Sequence, residues 1–203
     1  MAVESRGPRP AHRRGIDLEV NLVLDTIGGL PLHPLIVHAV VVLVPLASLL
    51  LLLAALSPRI RHWAGILTPV VATITLLMVP LASQSGEALQ RRVQETPALQ
   101  EHVELGDSLV YFVLLVTILA WALWFLDRRV GASTATAATA GVGADVTRAT
   151  APRSGLLTAV IVLSVLSVVA TTVQVVRIGH SGATATWSKV GATTPKGGEG
   201  GDD

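Results

Sequence analysis

The sequence predicts an all-α integral membrane protein, a bundle of four transmembrane helices with a helical hairpin projecting at one face. The chain of 203 residues is 51% hydrophobic and only 14% charged, which is too apolar for an ordinary soluble fold of that size. Four uncharged stretches, 35–56, 63–82, 108–126 and 155–176, each come close to the roughly 20 residues that a helix needs to cross about 30 Å of hydrocarbon. A soluble core would have to leave such a run uncharged four times over. Inside lipid every backbone group must be satisfied within the segment, so helices are the natural form of these runs.

Residues 1–15 are polar, rich in arginine and contain Pro8 and Pro10, and they read as a disordered tail. No cleavable signal peptide follows, because the first apolar run is too long and Ser57-Pro58-Arg59 is not a cleavage site. Apolar residues at Ile16, Val20, Val23, Leu24 and Ile27 follow helical spacing, with Asp17, Glu19 and Asp25 elsewhere on the wheel. This predicts a short interfacial helix ended by Gly28-Gly29, after which Pro34 is placed as the first residue of span one. The link 57–62 is so short that the first two spans must form an antiparallel hairpin. Residues 83–107 are polar yet helix-forming, and Thr96-Pro97 is a cap followed by a first turn. Both flanking helices are therefore expected to project past the membrane and turn near Thr96. The Ala/Thr/Gly tract 131–143 predicts a flexible loop, and Gly179 is expected to cap span four. The expected organisation is a tail over 1–23, a membrane domain over 24–182 and a disordered tail over 183–203.

The net charge of +1, with basic residues split among short links, excludes a nucleic-acid partner and leaves the lipid bilayer as the main one. The absence of cysteine removes disulfides, thiolate metal sites, iron–sulfur clusters and covalently attached haem. Any metal or haem must be held by His, Met, carboxylate or backbone. Arginine greatly outnumbers lysine in an Ala/Val-rich chain, a bias associated with GC-rich bacterial genomes, so a bacterial cytoplasmic membrane is expected. Arg59, Arg61, Arg128, Arg129, Arg148 and Arg153 follow spans one and three, against Arg91, Arg92, Arg177 and Lys189 on the other side. By the positive-inside rule both termini face outward. Trp63, Trp121, Trp124 and Phe125 fall at the arginine-rich interface as an aromatic belt.

Four antiparallel spans bring most of the reactive side chains to one face: His33, His38, Gln84, Ser85, Glu87, His102, Glu104, Asp107, Gln174 and His180. His38 is the sharpest of these, because it sits about one turn inside an apolar span, where an ionisable group is a functional-site hypothesis by default. Its plain alternative is an interhelical hydrogen bond. His33 precedes Pro34 and has a capping role as its plain reading. His102 lies one turn before Gly106, with Gly86 at the corresponding level of the second helix, and small residues there allow close helix approach. His180, just past Gly179, is explained without function by the helix dipole. No metalloprotease, serine-hydrolase or phosphate-loop signature is present, and no catalytic residue is assigned. The convergence of histidines suits imidazole ligation of haem iron, copper or zinc.

The strings Leu30-Pro31-Leu32-His33-Pro34-Leu35-Ile36-Val37-His38, Ser83-Gln84-Ser85-Gly86-Glu87-Ala88-Leu89, Glu101-His102-Val103-Glu104-Leu105-Gly106-Asp107 and Gly179-His180-Ser181-Gly182-Ala183 together resemble the bacterial membrane-protein family known as domain of unknown function 2231. The resemblance covers about 24–187 and implies fold and membrane location. Some relatives look fused to Rieske or cytochrome-like domains, which implies a redox setting and a redox-protein partner. It begins immediately after Val23, and a valine codon can serve as a bacterial start, so residues 1–22 are expected to precede the native start.

The leading expectation is a redox module that binds haem b or a transition metal through His38 and His102 first, with His33 and His180 as further ligands and Glu87, Glu104 and Asp107 orienting them. A transmembrane di-haem arrangement needs histidine pairs at both faces, so one haem or one small metal site is the limit. The alternative is a scaffold or assembly protein whose polar cluster only packs helices. A transporter would need a polar path, and the inner halves of the spans are apolar apart from Ser and Thr.

Overall fold

The computed structural model describes residues 26–27, 30–139 and 151–187. Most of the expected interfacial helix and the end of the C-terminal tail lie outside them. Strand β1 (Thr26–Ile27) pairs antiparallel with β2 (Leu30–Pro31), Thr26 opposite Pro31 and Ile27 opposite Leu30. The last residues of the expected helix are therefore extended, in keeping with Gly28-Gly29, a dipeptide that favours a two-residue hairpin link. Five helices follow: α1 (Leu32–Leu56), α2 (Pro58–Ala64), α3 (Leu67–Gln90), α4 (Pro97–Thr139) and α5 (Ala151–Trp187). Four are long and apolar enough to cross a membrane, α4 over Pro97–Arg129 and α5 over Gly155–Trp187.

Several boundaries differ from those read in the sequence, each for a local reason. α1 starts at Leu32, and Pro34 lies in its first turn, where a missing N–H breaks no intrahelical bond. The first link is not a bare turn. The Ser57 hydroxyl accepts from the Ile60 N–H at 3.4 Å, Pro58 opens the short helix α2, and Gly65 ends it with φ 48, a conformation costly for any residue with a β-carbon. Span two consequently starts at Leu67 rather than at residue 63, and Trp63, 80% exposed, belongs to the link. Thr96 does cap α4, its hydroxyl accepting from Leu99 N–H at 3.2 Å. The expected loop over 131–143 is helical as far as Thr139, because alanine sustains a helix better than any other residue. α5 likewise runs through Gly179 to Trp187 without a cap, and its last turns carry hydroxyl bonds from Thr184 to His180 O and from Thr186 to Gly182 O.

The long helices form a ring in the order α1, α3, α4, α5, with α1 and α4 also meeting across the diagonal. Two apolar clusters fill it. One, toward the His33 end, contains Val40, Val44, Val79, Leu109 and Val113. The other, toward the arginine-rich end, is richer in small residues and includes Ala47, Ala54, Ala72, Ala120 and Leu123. Ser48, Thr75, Thr117, Ser164, Ser167 and Thr171 are turned inward and buried, while Leu77, Leu166 and Val176 face out. This is the arrangement that lipid as solvent selects, with polar side chains facing one another and aliphatic ones facing the acyl chains.

Candidate functional site: two anchored histidines

His33, in the first turn of α1, reaches across to the last turns of α3. Its Nδ1 is 3.1 Å from Ala82 O and 3.1 Å from Ser85 Oγ, and Ser85 Oγ donates to Ala82 O at 2.9 Å. His102, in the second turn of α4, does the same to α5. Its Nδ1 is 3.2 Å from Ile178 O and 3.2 Å from Ser181 Oγ, and Ser181 Oγ donates to Ile178 O at 3.0 Å. A carbonyl can only accept, so each Nδ1 carries the proton, and the neutral ring keeps its lone pair on Nε2. Neither Nε2 has a hydrogen bond among the described residues. The same argument excludes serine nucleophile chemistry: an Nδ1 that is already a donor cannot take the proton of Ser85 or Ser181.

Both rings lie on glycine. A β-carbon at Gly86 would stand 3.0 Å from His33 Cε1, and one at Gly182 would stand 2.9 Å from His102 Cε1. The two imidazoles are electrostatic neighbours, and just beneath them Ile36, Ala82, Val110 and Ile178 pack into the valine-rich cluster shared by all four helices. One turn deeper, the buried Gln174 amide donates to Leu105 O at 3.0 Å and to Ser108 Oγ at 2.7 Å, pinning α5 to α4.

The two sites are copies of one design. The shift of 69 residues that carries His33 onto His102 also carries Val40, Val44, Ala47, Ser48, Leu51 and Ala54 onto Leu109, Val113, Val116, Thr117, Ala120 and Leu123, every one buried. The shift of 96 that carries Ser85 onto Ser181 carries Thr68, Ala72 and Thr75 onto Ser164, Val168 and Thr171, again all buried. The bundle is two parallel helical hairpins related about an axis along the membrane normal.

A family model described as Predicted membrane protein (DUF2231) matches residues 29–195, which takes in both hairpins. The chain belongs to this family. No curated protein and no solved structure matches it.

Within this DUF2231 chain the remaining site candidates fall elsewhere. His38 is exposed on the outer surface of α1 and its Nδ1 bonds Pro34 O of its own helix, so it neither joins helices nor approaches His102. His180 is exposed on α5, and Glu87, Glu104 and Asp107 are exposed beside the histidines without bonding them. Among the described residues no group of three or more His, Cys, Asp or Glu is placed to hold a metal ion. The glycine assignment also changes: Gly86 serves His33 and not His102, and a β-carbon at Gly106 would meet nothing within 4 Å. The signal that reveals this pairing is the two offsets, which set Ser85-Gly86 over Ser181-Gly182.

At the opposite face lies a cluster that sequence reasoning missed. Arg61, 8% exposed, donates through Nε to Ala54 O at 2.8 Å and through an Nη to Ala55 O at 3.1 Å, and its other Nη is 3.6 Å from Asp127. It thus satisfies carbonyls that the end of α1 leaves open. His62 Nδ1 lies 3.1 Å from the same carboxylate, and Arg128 stacks over Trp124 at 4.3 Å.

Proposed function

We propose that this multi-pass membrane protein is a redox module in which His33 and His102 together ligate one haem b, or one transition metal that brings further ligands of its own. The observation that carries the reading is the matched anchoring of both Nδ1 atoms. A metal-binding imidazole characteristically donates its other ring N–H to a carbonyl, which fixes the tautomer and aims the free nitrogen. Here that arrangement occurs twice, on helices α1 and α4, which meet across the bundle's diagonal. Among the described residues no third donor joins the two imidazoles to complete a tetrahedral zinc site, so the ligand must supply the rest, as a porphyrin does. With no cysteine in the chain, attachment is through the iron alone. Such a centre lies near the surface at one face, within reach of a redox protein docked there. The cationic residues Arg59, Arg128 and Arg129 at the other face orient the histidines outward from a bacterial cytoplasmic membrane.

One observation favours a scaffold instead: each histidine already ties two helices together and packs on a glycine. Absorption spectra and metal content of the detergent-purified protein separate the two. The redox reading expects a Soret band or stoichiometric metal, lost in His33→Gln and in His102→Gln and kept in His38→Gln and His62→Gln. An unliganded wild-type protein, or equal content in all four variants, would overturn it and favour the scaffold.

A further inference from the structure

Helical Ser and Thr side chains in an apolar core ordinarily satisfy themselves on the carbonyl one turn back. Thr75, Thr117, Ser164 and Thr171 do so, at 2.7–2.8 Å. Three others do not. Ser48 Oγ, Thr68 Oγ1 and Ser167 Oγ are buried, at 4%, 3% and 3% exposure, and have no hydrogen-bond partner among the described residues. For Thr68 the reason is visible: one turn back the chain leaves α2 through Gly65, and no carbonyl is presented to it.

All three lie in the half of the bundle nearest the α2 link. At 1.5 Å per residue, Ser48 is about 22 Å along α1 from His33, Ser167 about 21 Å along α5 from Ser181, and Thr68 about 26 Å along α3 from Ser85. Ala47 and Val168, the chain neighbours of Ser48 and Ser167, belong to one cluster, the one that holds the buried alanines Ala54, Ala72 and Ala120. Thr68 also lines a small cavity with Arg61, Gly65, Ala120 and Trp124, where the buried guanidinium meets the end of the bundle. Toward the histidines the small residues give way to Val40, Val44, Val79, Leu109 and Val113, and the buried hydroxyls at that depth, Thr75 and Thr171, are already bonded to the carbonyl one turn back.

We propose that water enters the bundle beside Arg61, passes Thr68 and reaches Ser48 and Ser167, where it stops against the valine layer. Buried polar groups without protein partners are where internal water binds, and the three hydroxyls supply the two or more polar contacts such a water requires. The protein then holds a hydrated half-channel that admits water, and the protons it carries, from the arginine-rich face to the bundle core. This site is separate from the histidine pair and does not depend on what that pair binds.

The chain has no cysteine, so single substitutions give a clean background. Thr68→Cys, Ser48→Cys and Ser167→Cys are exposed in sealed vesicles to silver ion, similar to water in size, and the thiols left free are then alkylated in SDS. Protection of all three is expected when silver is applied from the arginine-rich face, with Val44→Cys and Val113→Cys left free. Protection of Thr68→Cys without Ser48→Cys and Ser167→Cys, or equal protection of the valine positions, overturns the proposal. Hydroxyl-radical footprinting of the unsubstituted protein reads the same question without any variant. Modification of the buried Leu51 and Leu123 well above that of Val44 and Val113 is expected, and equal modification overturns it.

Discussion

Gly182 and the ring of His102 are in such close contact that a β-carbon on the glycine would meet the imidazole Cε1 at 2.9 Å, a separation real side chains do not adopt. The ring cannot swing aside freely, because its Nδ1 is held by Ile178 O and Ser181 Oγ. Gly182→Ala should therefore break those bonds and lower both stability and any bound ligand. Gly86→Ala, at 3.0 Å from His33, should do the same less severely. Gly106→Ala is the comparison: it has open space and gains up to about 1 kcal/mol of helix propensity. Thermal unfolding of the three in detergent checks this, and indistinguishable profiles for Gly182→Ala and Gly106→Ala would remove the glycine contact from the site.

Ser85 and Ser181 supply the second acceptor to each histidine, and the carbonyl remains when the hydroxyl is removed. Ser85→Ala and Ser181→Ala should each cost about 1 kcal/mol or less. Because they belong to different hairpins, the double variant should lose the sum to within about 0.5 kcal/mol. Reversible unfolding in mixed micelles measures it. A large excess over the sum would mean that the two histidines act as one coupled unit.

Arg61 makes the largest polar commitment at the other face, closing two carbonyls of α1 and facing Asp127. Arg61→Ala should destabilise by about 2–4 kcal/mol, since it strands two buried carbonyl acceptors. Arg61→Lys should recover only part, as an ammonium cannot reproduce the fork. Asp127→Asn, on a side chain 20% exposed, should cost less than Arg61→Ala. The order of the three unfolding midpoints is the measurement, and a silent Arg61→Ala would contradict the role given to these bonds.

Alkaline phosphatase fused in the link 91–96 should be active and the same reporter fused within 140–150 inactive. The opposite pattern would place the histidines at the inner face.

The spans were legible because apolar length is a one-dimensional signal, and the clustering of polar residues at one face follows from counting crossings. What the sequence hid was rotation about each helix axis. His38 looked like an intramembrane site residue because its neighbours in the chain are apolar, yet it is turned to the surface. His33, beside a proline at the helix start, looked like a cap and is instead an interhelical anchor. Two helix ends were misread: the Ala/Thr/Gly tract taken as a loop from 131 is helical to Thr139, and at Gly179, taken as a cap, the helix continues without the left-handed backbone that Gly65 adopts.

The two hairpin copies each cross the bilayer an even number of times, and this decides more than their packing. A second two-crossing unit enters the membrane the same way up as the first, so a group at the same place in each hairpin is presented at the same surface. Three crossings per copy would have sent the second histidine to the far side. Two crossings per hairpin thus put both anchored histidines at one surface, facing a single compartment.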